Sequence, residues 1–247
     1  QKTAYEIMPS LVGSEMCIRD SCEHGAVVAG LDLGTTKICA IIAERTDNGK
    51  LRIIGTGQRP SAGLRRGVIV DAEQTVKAID EAVRQAELMA GIEAGAVYAG
   101  IAGEHIASLN SSGMVAVGDN GGRIAALDRE RVLDAAGAVK VPLDREVLHI
   151  LPQEFAVDGK RGILDPVGMY GVRLEANVHV VTGAVTAVQN ICRSILRAGV
   201  DVRDIVLEPL ASSYAVLSED EKQMGVCLID IGGGTTCLLY TSDAADE

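Results

Sequence analysis

No tryptophan occurs in the chain and phenylalanine occurs once. With aromatics at 2% there is no stacking platform for nucleobases, and any core has to be aliphatic. Positive charge is also scarce: 23 Lys and Arg against 34 Asp and Glu leave a formal charge of −11. That is the wrong sign for a nucleic-acid surface, where phosphates are met by clustered Lys and Arg. The six cysteines contain no C-x-x-C pair, which argues against zinc and disulfide frameworks and makes a reducing cytoplasm the simplest setting. No apolar run approaches the roughly 18 residues of a membrane-spanning helix. The start of the chain lacks the basic and apolar stretches of a signal peptide. Neither G-x-x-x-x-G-K-[ST] nor a helix-opening G-x-G-x-x-G is present, so P-loop and kinase-type phosphate binding are set aside.

What is there is a chain of 247 residues, 47% hydrophobic, long enough for one large domain or two small ones. Its Val, Ile, Leu and Ala suit an α/β sheet covered by helices. Both ends read differently. Leu11–Asp20 back-translates into a sequence resembling the transposase adapter of sequencing libraries, and Gln1–Glu6 into the flow-cell primer outside it. Cys237–Asp246 resembles the reverse complement of the partner adapter. Residues 1–21 and 237–247 are therefore expected to be adapter-derived and not native, and the remaining 22–236 is still acidic.

Between the ends, VVAGLDLGTTKICAIIAE at 27–44 places two apolar runs around Gly34-Thr35-Thr36 and predicts a β-hairpin. A third strand follows at 51–58, then a loop with a short strand at 63–71. Asp71 as N-cap, Gln74 at capping-box spacing, Val76, Ile79 and Val83 on one face, and Gly91 as a stop predict a helix. Beyond Gly103 the character changes. Strand-like runs at 105–117, a helix near 128–138, a strand at 146–159 and a Gly/Pro-marked loop at 161–171 suggest a small α+β unit inserted in a larger domain. The strand–helix rhythm resumes with a strand at 176–183, a helix near 186–198, a strand at 205–209, a helix at 210–217 and a strand at 226–231.

Two stretches echo each other: GLDLGTT at 30–36 and CLIDIGGGTT at 227–236. Each sets a strand-end carboxylate, Asp32 or Asp230, just before a Gly/Thr turn. One such turn is an ordinary tight hairpin. Two facing each other form a clasp in which Gly34, Thr35, Thr36, Gly232, Gly233, Gly234 and Thr235 offer backbone N–H groups and hydroxyls to phosphates. Asp32 and Asp230 would then hold Mg²⁺, mostly through its waters. Lys37 is within reach of a phosphate, but a solvated strand lysine is the better reading. Glu208, between a strand and a helix, is the candidate catalytic acid that orients a water; a helix-entry acid at the positive end of the dipole explains it as well. His105, His149 and His179 read as structural, and Arg65-Arg66 as a solvated loop edge.

With both turns in view, the segment resembles the actin, heat-shock chaperone and sugar kinase superfamily, and within it the FtsA family of bacterial cell-division proteins. GLDLGTTK at 30–37, and ASSYAVLSEDE at 211–221 followed by GVCLIDIGGGTT at 225–236, carry the superfamily likeness. SAGLRRGVIVD at 61–71, and VLHILPQEFAVDG at 147–159 with PVGMYGVRLEA at 166–176, carry the likeness to FtsA. The resemblance implies an actin-like (ribonuclease H-like) ATPase domain with a mixed sheet and an inserted strand-helix-strand-strand subdomain. It divides the chain into 22–102, the insert 103–175, a return at 176–224, and the start of a second half at 225–236, truncated there. It implies binding of ATP and Mg²⁺ with at most weak hydrolysis, self-association into filaments at the inner face of the cytoplasmic membrane, anchoring of the tubulin-like FtsZ ring, and recruitment of later division proteins through the insert. No nucleic acid is implied as a partner. The FtsZ and membrane contacts, the latter a terminal amphipathic helix, are expected beyond Thr236. Residues 22–236 alone are accordingly expected to bind ATP poorly; micromolar affinity in calorimetry would refute this. A pilus-assembly actin-like scaffold and a sugar or metabolite kinase of the same superfamily are the alternatives.

Overall fold

A computed structural model describes residues 27–118 and 121–241. The expectations for 1–21, 22–26 and 242–247 lie outside the described residues. In chain order the elements are β1 (Val27–Leu33), β2 (Lys37–Arg45), β3 (Leu51–Pro60), β4 (Leu64–Arg65), β5 (Val68–Ile69), α1 (Ala72–Ala90), β6 (Ala96–Ile101), β7 (Ala107–Ala116), α2 (Ala126–Gly137), β8 (Arg145–Val157), β9 (Lys160–Ile163) and β10 (Arg173–Ala184). They continue with α3 (Val185–Arg197), β11 (Asp201–Leu207), α4 (Glu208–Val216), α5 (Glu219–Met224), β12 (Cys227–Ile231) and β13 (Thr236–Tyr240). Two compact units result, one of Ile106–Gly183 and the other of the described residues up to His105 and from Ala184.

The second unit is built on a five-stranded sheet in the order β11-β6-β1-β2-β3. β1, β2 and β3 form an antiparallel meander, while β6 and β11 run parallel to β1 and to each other. Alternation in β1 buries Ala29, Leu31 and Leu33, and Ile38, Ala40 and Ile42 of β2 are buried likewise. α1 begins as its punctuation predicts: the Asp71 carboxylate accepts from Gln74 N–H at 3.0 Å, and Gly91 closes the helix at φ 73° with its N–H on the Glu87 carbonyl. Ile79, Ala82, Val83 and Ala86 form its buried face. That face lies directly on the backbone of β3, where Gly55 and Gly57 leave no side chain between strand and helix; a Cβ at Gly57 would overlap the Ala82 carbonyl oxygen.

The insert carries a four-stranded sheet in the order β7-β10-β8-β9, with α2 against it. Its core joins Val132, Leu133 and Ala136 of α2 to Phe155, Val157, Leu174, Ala176 and Val178. Asp128, buried at the start of α2, accepts from Ala125 N–H at 3.0 Å and Gly118 N–H at 3.2 Å and pairs with Arg131. The Ala125 amide, first among these, holds its carboxyl below the usual range.

Three readings change here. The loop read at 161–171 begins as strand β9, because Asp158 and Gly159 take positive φ and fold β8 back in a tight turn. The Asp158 carboxylate anchors that turn by accepting from Val172 and Arg173 N–H. The strand read from 176 begins at Arg173 and pairs with β7 as far as Thr182, so the compact unit runs to Gly183 where the sequence reading ended the insert at 175. Helix α5 was not anticipated, although Ser218 and Glu221 form a reciprocal capping box at its start.

Candidate functional site

The antiparallel register of β1 and β2 leaves Gly34–Thr36 as the connecting turn and sets Asp32 opposite Cys39. β12 and β13 repeat the arrangement: Gly232–Thr235 connects them, Gly232 N–H donates to the Thr235 carbonyl at 2.8 Å, and Asp230 stands opposite Cys237. The two turns, from opposite ends of the described chain, face each other. A Cβ on Gly233 would strike Thr36 Cγ2, and one on Gly234 would lie 2.7 Å from Thr35 Oγ1. Glycine is thus required at 233 and 234 for the turns to approach this closely.

Three carboxylates converge beside them. Glu208 opens α4 immediately after β11, and its side chain crosses the neighbouring strand at Gly100, where a Cβ would lie 3.0 Å from Glu208 Cγ. Burial, reinforced by the charges of Asp32 and Asp230, pushes the Glu208 carboxyl up to about 8. Burial likewise raises Asp32, with Lys37 opposing and Asp230 adding to the rise. Asp230 accepts a hydrogen bond from Ser212 Oγ on α4 at 3.2 Å. Among the described residues no three such groups stand close enough together to hold a metal ion directly, so a cation beside these acids and glycine turns would have to be met through its waters.

The structure therefore gathers Asp32, Gly34, Thr35, Thr36, Asp230, Gly232, Gly233, Gly234, Thr235 and Glu208 in one place. Lys37 starts β2 next to the turn, is exposed, and reaches the group through its charge on Asp32. His149 and His179 lie in the insert on β8 and β10, and Arg66 caps the β4–β5 hairpin in an exposed ion pair with Glu104. Ser212 and Gly100 were missed. Their signals were available: a serine four residues after Glu208, on the same helical face, and a glycine inside a strand. Two surface depressions of about 210 and 610 Å³ lie along α1 and α3, and no residue of the carboxylate group lines either.

A family model described as the SHS2 domain inserted in FTSA matches residues 103–182. The chain is 50% identical over 225 residues to the cell division protein FtsA of Pseudomonas aeruginosa, covering 91% of this chain and 54% of that protein. It is 43% identical over 215 residues to FtsA of Bacillus subtilis (87% and 49% covered) and 41% over 219 residues to FtsA of Escherichia coli K12 (88% and 52% covered). It thus spans about half the length of the curated relatives it matches. Among solved structures, the PilM-PilN type IV pilus biogenesis complex is similar in fold at a TM-score of 0.59 and 16% identity, over 86% of this chain and 57% of that one.

The mixed sheet covered by helices, with its paired glycine turns, is an actin-like fold. Within that class the chain belongs to the FtsA family of cell division proteins. The likeness to the pilus complex is one of fold alone, so the pilus and sugar-kinase alternatives are not favoured.

Proposed function

We propose that this chain forms the phosphate-and-metal side of an ATP site in a cell-division protein. The contact of Gly233 and Gly234 with Thr36 and Thr35 carries the reading, since it brings two phosphate-type turns and their acids to one point. Asp32, Gly34, Thr35, Thr36 and Lys37 would take the phosphates from one side, and Asp230 with Gly232–Thr235 from the other. Asp32 and Asp230 would hold Mg²⁺ through its waters; bound there, the ion would neutralise charge on the phosphates. Glu208, protonated at neutral pH in the free site, supports weak hydrolysis at most, because a general base must give up its proton first.

In this reading the described residues up to His105 and those from Ala184 to Met224 belong to the first actin-like half, 225–236 opens the second, and the unit of Ile106–Gly183 is the inserted subdomain. The whole protein polymerises at the inner face of the cytoplasmic membrane, anchors the FtsZ ring and recruits later division proteins through the insert. Identity to proteins named cell division protein FtsA supports this role. No helix among the described residues is long and apolar enough to cross a membrane.

Thermal unfolding in millimolar MgATP tests the site. MgATP is expected to raise the melting temperature of the chain, and Gly233→Val, which forces the turns apart, to abolish the rise. Absence of any MgATP effect on the unsubstituted chain refutes the reading.

A further inference from the structure

Helix α4 carries two adjacent serines that behave differently. Ser213 is buried and donates to the Leu210 carbonyl at 2.7 Å, the local back-bond that helical serines commonly make. Ser212 instead sends its hydroxyl across to Asp230 Oδ2 at 3.2 Å, at the end of β12. Glu208 lies one helical turn earlier, so Glu208 and Ser212 leave the same side of α4. Both meet Asp230, one through charge and the other through a hydrogen bond.

The chemistry of that donor matters. Had a lysine or arginine held Asp230, it would have neutralised the charge that a divalent cation needs. A hydroxyl fixes the carboxylate in one orientation and leaves its charge in place. It also ties β12, and through it the Gly232–Thr235 turn, to a helix whose first residue is Glu208.

We propose that Ser212 is a positioning residue for Asp230, holding the second glycine turn in register with the first so that metal and phosphate are met together. The proposal rests on the nucleotide-site reading above and assigns a role within it that neither glycine motif contains. Outer partners of metal-binding groups typically control metal affinity by 10–100-fold, and the expected effect falls at the low end of that range.

The test compares the full chain with Ser212→Ala and Ser212→Thr. In Mg²⁺ titrations of a fluorescent ATP analogue, Ser212→Ala is expected to need about tenfold more Mg²⁺ for half-saturation. Nucleotide binding in EDTA should stay unchanged, and Ser212→Thr should restore the Mg²⁺ requirement. Equal weakening with and without Mg²⁺, unrestored by threonine, would indicate a packing role and overturn the proposal. A second arm needs no nucleotide: amide hydrogen exchange over Gly232–Thr235 should quicken in Ser212→Ala and not in Ser212→Thr. If the unsubstituted chain binds no nucleotide analogue, the site reading falls while this arm still decides the clamp; unchanged exchange in Ser212→Ala overturns it.

Discussion

Replacing Glu208 by glutamine should stabilise the ligand-free protein, by an amount that grows with pH. The carboxyl titrates near its ordinary 4.5 in the unfolded chain and at about 8 in the folded site, raised first by burial and then by Asp32 and Asp230. Between those values the folded state binds more protons than the unfolded one, so stability falls as pH rises, by up to about 1.4 kcal/mol per pH unit. From pH 5 to pH 7 the wild-type protein should lose about 2.5 kcal/mol from this group. Glutamine keeps the shape, cannot ionise, and escapes that loss. Asp32 is raised too, but it remains in both proteins and largely cancels in the difference. Because the chain has no tryptophan, urea unfolding is best followed by far-ultraviolet circular dichroism, at each pH from 5 to 8. The difference between Glu208→Gln and wild type should widen steadily to about pH 8 and then level off. A constant difference, or one that widens toward acid, would refute the placement of Glu208 among buried acids.

Two further outcomes concern the scaffold. Burial lowers the His149 imidazole from 6.5 to about 4, so the unfolded chain takes up its proton first; the insert should hold full stability above pH 6.5 and lose up to about 3 kcal/mol as pH falls toward 4. Imidazole resonances would report this directly, and an ordinary midpoint near 6.5 for His149 would contradict it. Gly57→Ala should cost about 1–3 kcal/mol by overpacking, because the added Cβ meets the backbone of α1, which cannot rotate away. Gly30→Ala, with nothing within 4 Å of the added carbon, is the control in the same denaturation experiment and should change little.

Legibility in the sequence followed the range of the interactions. Helix α1 could be read from Asp71, Gln74 and Gly91 because caps are local hydrogen bonds, and the β1–β2 hairpin from its apolar runs around Gly34–Thr36 for the same reason. The Asp158–Gly159 turn and the Ser218–Glu221 box were equally local and were missed, which is why β9 and α5 came only from the structure. At the site, the sequence marked each turn and each acid separately, by type and spacing. The contact of Gly233 with Thr36, the crossing of Glu208 over Gly100, and the reach of Ser212 to Asp230 all needed the fold. Each depends on strand order and register that bring together segments far apart along the chain. Turn chemistry, helix boundaries, acidic charge and an aliphatic core were therefore determined by the sequence alone. The tertiary structure decided that the two turns share one site and that its acids repel, because desolvation and charge coupling exist only once β1, α4 and β12 have met.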